Sequence, residues 1–290
     1  MEGVNCMDSR RLLRRSLREQ SITRVVGVHN ALGARVVERT GFDGVWVSGL
    51  EVSASFGLPD VGLLTMTELL GSSHYVSDAV SIPVIVDCDT GFGDEINVAR
   101  LVREAARSGV AAVCIEDKVF PKRNSFMSVD QQLIDPDAFC RKLHAGQKAA
   151  VRDDVLLVAR TEALVAGRGV DEALRRAEKY AEAGADAILV HSKDRNPDQV
   201  MEFLRLWQRR APVVVVPTTY HEVSAKELER EGASMVIYAN HGLRSAVQAV
   251  GETLAAIRDS GSTSLVEDRI APVKEIFELQ GTDSWLSFQQ

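Results

Sequence analysis

The sequence predicts an α/β protein built as a (β/α)8 barrel of the TIM type. Three observations carry this: strand-like apolar runs recur eight times, helical segments separate them, and the spacing stays steady. The runs are nearly continuous in apolar residues rather than alternating, as in a parallel sheet covered on both faces. An open doubly wound sheet is the alternative, and eight evenly spaced units favour closure. With 290 residues, 45% hydrophobic and 26% charged, the chain has the length and composition of one globular barrel domain over 1–290. No linker-like or low-complexity stretch divides it.

Taken in order, RRLLRRSLRE (Arg10 to Glu19) is basic and amphipathic. Asp8 and Glu19 flank it and no long apolar core follows, which predicts a surface helix leading into the first strand rather than a targeting segment. VVGVHN (25–30) and GVWVSGL (44–50) read as the first two strands, and PVIVDCDT (83–90) as the third. INVARLVREAARSGV (96–110) has helical periodicity, and its Gly109 suits a helix C-cap. AAVCIEDK (111–118) and VLLVARTE (155–162) follow as strands, then the helical VDEALRRAEKYAEAGA (170–185), with Gly184 near its end. AILVHS (187–192), VVVVPTT (213–219) and SMVIYANH (234–241) complete the set. A helix over 242–259, a GSTS turn (261–264) and a helical VKEIFELQ (273–280) come after the eighth strand. This surplus extension, about 261–290, is expected to cover something, such as a neighbouring subunit.

A net charge of −7 without a basic stripe argues against a nucleic-acid binder. No apolar run is long enough to cross a bilayer. The four cysteines (Cys6, Cys88, Cys114, Cys140) lack metal-type spacing and form no disulfide framework, so a cytoplasmic protein is expected.

Nearly every strand ends in residues capable of chemistry, and the C-terminal mouth of a barrel is where such ends build a site. EDKVFPKRNS (Glu116 to Ser125) sets two carboxylates, several cations and an amide beyond the fourth strand, with Pro121 stiffening the turn. It reads as a reactive loop, with a lid over about 117–132; a merely solvated, salt-bridged loop is the plainer reading. Asp87 and Asp89, two apart, project to the same side of their strand and call for a cation between them. Hard oxygen donors favour Mg2+ or Mn2+ over zinc, and Glu116 can complete the site. Asp89 capping a turn while Asp87 pairs with a lysine is the structural alternative. Ser48 with the N–H groups of Gly49 and Leu50 can form an anion nest, and Trp46 either stacks on a planar ligand or belongs to the core. Arg160 and His191 end consecutive strands and suit phosphoryl or carboxylate oxygens. Together these point to a small substrate carrying both groups.

WVSGL, DCDTGFG, EDKVFPKRNS, ARTEALVAG and ILVHS together resemble the phosphoenolpyruvate mutase/isocitrate lyase superfamily, on its mutase side, over nearly the whole chain. Lyase-type members carry a catalytic cysteine in the loop, where this chain reads PKRNS; mutases have Asn where hydrolases of phosphonopyruvate have Thr, and Asn124 matches the mutases. Val47 and Arg168 depart from Gly and Trp common in close mutases. The resemblance implies a barrel with C-terminal helices swapped between subunits of a homotetramer or homodimer. It implies interconversion of phosphoenolpyruvate and phosphonopyruvate with Mg2+, as in phosphonate biosynthesis. Asp87 is then the metal ligand, with Asp60, Asp89 and Glu116 completing its shell largely through water. Ser48, Gly49 and Leu50 hold the pyruvyl oxygens and Trp46 packs on the ligand. Arg160, His191, Asn124 and Ser125 address the phosphoryl group, and Lys122 rides on the loop. The expected chemistry is a dissociative transfer sheltered from water, with Asp60 as a covalent phosphoryl carrier the alternative. Phosphonopyruvate hydrolysis, C–C lyase chemistry and a non-catalytic scaffold are the rival functions.

Overall fold

The structure, a computed structural model, describes residues 6–19, 21–150 and 154–289. The remaining positions of the expected 1–290 domain, and the side chain of Cys6, lie outside the described residues. Each apolar run becomes a strand: β1 (Thr23–Val28), β2 (Gly44–Val47), β3 (Val84–Asp87) and β4 (Ala112–Glu116). They are followed by β5 (Leu156–Thr161), β6 (Ala187–Val190), β7 (Val213–Val215) and β8 (Met235–Tyr238). All pair in parallel in sequence order, and β1 pairs with β8, so the barrel closes as expected. The strands are shorter than the runs because the polar ends of the runs leave the ladder and become loops.

Closure divides the buried side chains into two layers by the period-two alternation of a strand. Trp46, Ile85, Cys114, Val158, Leu189 and Val214 fill the barrel interior, while their neighbours pack outward under the helices. Continuing the inward parity toward the strand C-termini gives Ser48, Asp87 and Asp89, Glu116, Arg160 and Glu162, and His191. One geometric rule therefore brings the chemistry to one rim. Register adds to it, since Glu116 of β4 lies beside Arg160 of β5.

The helix Cys6–Ser16 is not the surface helix expected. Leu13 and Leu17 are buried in the interior cluster, closing the barrel under the strand N-termini, each contributing about 1.5–3 kcal/mol of burial. Its arginines are structural: Arg10 donates from Nε to the Val110 carbonyl (3.0 Å) and from Nη2 to Ala106 (2.8 Å). Arg14 bridges Asp154 (2.7 Å) and Asp186 (2.6 Å). At the other terminus, the helix His241–Ser260 has no buried residue, and Val247, Val250 and Leu254 form an exposed apolar stripe. The helix Val273–Gln280 falls where expected and returns to the helix Ala31–Arg39 through an Arg39–Glu275 ion pair (2.5 Å). Among the described residues no helix is long and apolar enough to cross a membrane.

Candidate active site

Of the thirteen residues expected at the site, ten line one cavity at the strand C-termini: Trp46, Ser48, Leu50, Asp60, Asp87, Lys122, Asn124, Ser125, Arg160 and His191. Gly49, Asp89 and Glu116 stand immediately behind that lining. A Cβ built on Gly49 would sit 3.3 Å from Asp89 Oδ1 and 3.6 Å from Asp87 Oδ2, so glycine lets the chain pass close to both carboxylates. Trp46 belongs to the core, buried in the interior cluster, and also contributes to the cavity wall. Ser48 caps the helix Gly49–Ser55 by accepting from Glu51 N (3.3 Å), which leaves its own hydroxyl proton free to donate.

One pole of the cavity is acidic. Lys122 Nζ lies 2.6 Å from Asp60 Oδ1 and 3.1 Å from Asp89 Oδ1. Burial pushes the Asp89 carboxyl up to about 7 against the pull of Lys122, and Asp87, Glu116 and Asp60 add to the rise. Glu116 is raised by burial as well. Burial opposes the Lys122 charge, yet Asp89 and Asp60 hold that ammonium above its usual range. Asp89 does not cap the following helix, whose N-cap is Asp94. Its backbone sits at φ 48°, in the left-handed region that Asp tolerates better than most residues.

Glu116 Oε1 is buried without a hydrogen-bond partner, and Asp89 Oδ1 has only the Lys122 ammonium beside it (3.1 Å), so the pole has acceptor capacity to spare. That donor set fits a hard divalent cation. Among the described residues, however, no three of His, Cys, Asp and Glu converge closely enough to grip an ion directly. The expected arrangement has Asp87 as the one direct ligand, with Asp89 and Glu116 acting largely through water. An ion here would be held by one or two carboxylates with water completing its shell, the habit of Mg2+.

The other pole, in contact with the first, is cationic. Arg160 Nε is 3.2 Å from Glu116 Oε2, and its Nη1 is 3.9 Å from Asp87. Arg160 Nε also donates to Glu162 Oε1 (2.6 Å), and His191 Nδ1 lies 2.8 Å from the same oxygen. Glu162 is completely buried and was not among the expected site residues. Its signal was present: two residues after Arg160, it shares the inward parity. Arg160, His191 and Lys118 together keep the Glu162 carboxyl well below its usual range despite burial.

Between the poles lies the loop. Its base is closed by a Lys118–Leu133 bridge and a Val119 N–H bond to the Gln132 carbonyl (3.0 Å), so the covering segment is 119–132. Asn124 donates from Nδ2 to Asp60 Oδ2 (2.5 Å), and the Phe126 and His191 rings meet in a T-shaped pair, with centroids 6.0 Å apart. Asp117, expected to begin the reactive loop, instead points outward. Its carboxylate is fully buried and accepts from Arg176 (3.1 Å), the Tyr180 hydroxyl (2.7 Å) and Glu162 N (2.9 Å). It is an anchor beneath the loop.

A family model described as phosphoenolpyruvate phosphomutase matches residues 13–258. The phosphoenolpyruvate phosphomutase of Tetrahymena pyriformis is 42% identical, over 93% of this chain and 91% of its own length. The crystal structure of phosphoenolpyruvate phosphomutase from Streptomyces platensis subsp. rosaceus superimposes with a TM-score of 0.95 at 50% identity, covering 97% of this chain and 98% of the other. A phosphonopyruvate hydrolase solved with oxalate and Mg2+ superimposes with a TM-score of 0.91 at 38% identity, covering 96% and 97%. The match spans the barrel from its plugging helix through β8 and includes every strand end that builds the two-pole cavity, so the chain belongs to the phosphoenolpyruvate phosphomutase family of enzymes.

Proposed function

We propose that the chain interconverts phosphoenolpyruvate and phosphonopyruvate by intramolecular phosphoryl transfer. The observation that carries this reading is the loop: Asn124 and Lys122 both bind Asp60, so a segment without cysteine covers a cavity that has an acidic and a cationic pole. In one direction the bond from phosphorus to the C2 oxygen breaks and a bond from phosphorus to C3 forms; no proton is exchanged. Ser48 O–H and the N–H groups of Gly49 and Leu50 hold the pyruvyl oxygens. Arg160 and His191 take up charge on the phosphoryl oxygens, where fixed donors act most strongly on a dispersed negative charge. Asp87, with Asp60, Asp89 and Glu116 acting largely through water, would hold Mg2+ or Mn2+, which when bound would supply positive charge to a developing enolate.

Water is the competitor, because it captures a loosened phosphoryl group; loop 119–132 excludes it. The hydrolase likeness makes release of phosphate and pyruvate the second reading, and Asn124 in place of the hydrolase Thr argues against it. The enzyme is read as a cytoplasmic homo-oligomer serving phosphonate biosynthesis. Phosphorus-31 NMR of the protein with phosphonopyruvate and Mg2+ tests the function. Phosphoenolpyruvate is expected; inorganic phosphate as the main product assigns a hydrolase, and an unchanged spectrum rejects both.

A further inference from the structure

We propose that Glu162 is a positioning residue that ties closure of loop 119–132 to the orientation of the phosphoryl clamp, an inference that rests on the reading above. The two carboxylate oxygens face different parts of the site. Oε1 accepts from Arg160 Nε at 2.6 Å and lies 2.8 Å from His191 Nδ1. Oε2 accepts from the Ser125 hydroxyl at 2.6 Å and pairs with Lys118 Nζ at 3.0 Å. Ser125 is carried by the loop, and Lys118 stands at its base. Lys118 Nζ also donates to Ser125 Oγ (2.7 Å) and to the Arg123 carbonyl (2.9 Å), and Arg160 Nη2 reaches Ser125 Oγ (3.3 Å).

A carboxylate offers about four lone-pair directions, and here each oxygen serves two partners. With the loop down, Ser125 and Lys118 fix Oε2, which leaves Oε1 fixed toward Arg160 and His191. With the loop lifted, the Ser125 hydroxyl departs, and the carboxylate can turn, taking the guanidinium and imidazole with it. Loop position and clamp geometry are therefore one arrangement. Asp60 fastens the same loop at the acidic pole through Asn124 and Lys122, so it is bolted at both ends of the cavity. Unlatching the Glu162 bolt admits water during transfer. The water oxygen bonds to phosphorus, the bond from phosphorus to the enolate breaks, and the enolate takes a proton to become pyruvate.

Two readouts test this on the full-length protein. Arg123 is exposed on the loop, so the rate of tryptic cleavage after it reports the latch without any reaction. The share of inorganic phosphate among products, read by phosphorus-31 NMR, reports its consequence. Ser125→Ala and Glu162→Gln are expected to speed cleavage and raise the phosphate share several-fold, whereas Ser125→Thr, which keeps the hydroxyl, restores both. Ser125→Ala removes only one oxygen from the loop, which keeps the test informative if Glu162→Gln fails to fold. Cleavage at the wild-type rate in Ser125→Ala overturns the latch, as does a fall in turnover with an unchanged phosphate share. Accelerated cleavage in a protein whose wild type converts no phosphonopyruvate sinks the functional reading and upholds the latch.

Discussion

Lys122 and Asp60 form a buried ion pair at 2.6 Å, and the second oxygen of the same carboxylate accepts from Asn124. A carboxylate with both oxygens occupied by loop residues is built as a fastening, and it is a poor nucleophile while the loop is down. Asp60→Asn is accordingly expected to retain turnover, reduced about 10- to 100-fold, the equivalent of one hydrogen bond to a charged group. Steady-state kinetics check this. Turnover at background in a folded variant restores Asp60 as a covalent phosphoryl carrier.

His191 sets a pH expectation. Burial pushes its imidazole below the usual range, Glu162 pulls it upward, and Arg160 adds to the lowering. The free value is about 6.5, so the folded enzyme keeps His191 neutral at pH 7 and somewhat below 6.5. As pH falls, the unfolded chain takes up this proton first. The contribution to stability is thus present above about pH 6.5 and is lost as pH drops through the folded-state value. A long-range nitrogen-15 NMR titration of the ligand-free enzyme should place the His191 midpoint below 6.5. A midpoint above it means that the Glu162 carboxylate outweighs burial.

The strands were legible because parallel strands buried on both faces have no polar face to interrupt them. Most of the site followed, since polar residues ending such runs have few places to go except the rim. What was missed shares a cause, the direction in which a side chain points. Asp117 sits beside Glu116 in sequence and looks equally available, yet alternation turns it outward to Arg176 and Tyr180. Glu162 stands with Arg160 among the polar strand ends in the sequence but is given no role there, although alternation sends both inward. Arg10 and Arg14 gave the first helix a solvent-exposed look, while their guanidiniums serve carbonyls and carboxylates at the barrel floor. Long cationic side chains bury their stems and keep polar partners, so charge alone misleads about exposure.

Asp117 gives a stability prediction that separates anchor from catalyst. Its carboxyl is raised by burial, though Glu162 N, Arg176 and Tyr180 all favour the charged form. Without that charge Arg176 keeps Glu172 (2.7 Å), but the Tyr180 hydroxyl and the Glu162 N–H lose a charged acceptor, at a cost of about 1.5–3 kcal/mol. Asp117→Asn is expected to lose about that much in urea unfolding, with turnover per folded molecule close to wild type. Unfolding unchanged from wild type would contradict the anchoring role.

The last expectation concerns the extension after β8. On the helix His241–Ser260, Val247, Val250 and Leu254 are 67%, 55% and 59% exposed, at the spacing of a single helical face. Trp285 and Phe288 add further uncovered apolar area nearby in sequence. A stripe of that kind on a long helix is expected to meet another surface, and closed symmetric assembly of identical chains is the commonest way to provide one. Exchange of these helices between subunits of a homodimer or homotetramer meets that need. Light scattering after size exclusion should therefore give a multiple of the 31.7 kDa chain mass. Val250→Asp combined with Leu254→Asp should shift it to smaller species without disturbing the barrel. A wild-type mass of one chain at micromolar concentration rejects assembly through this face.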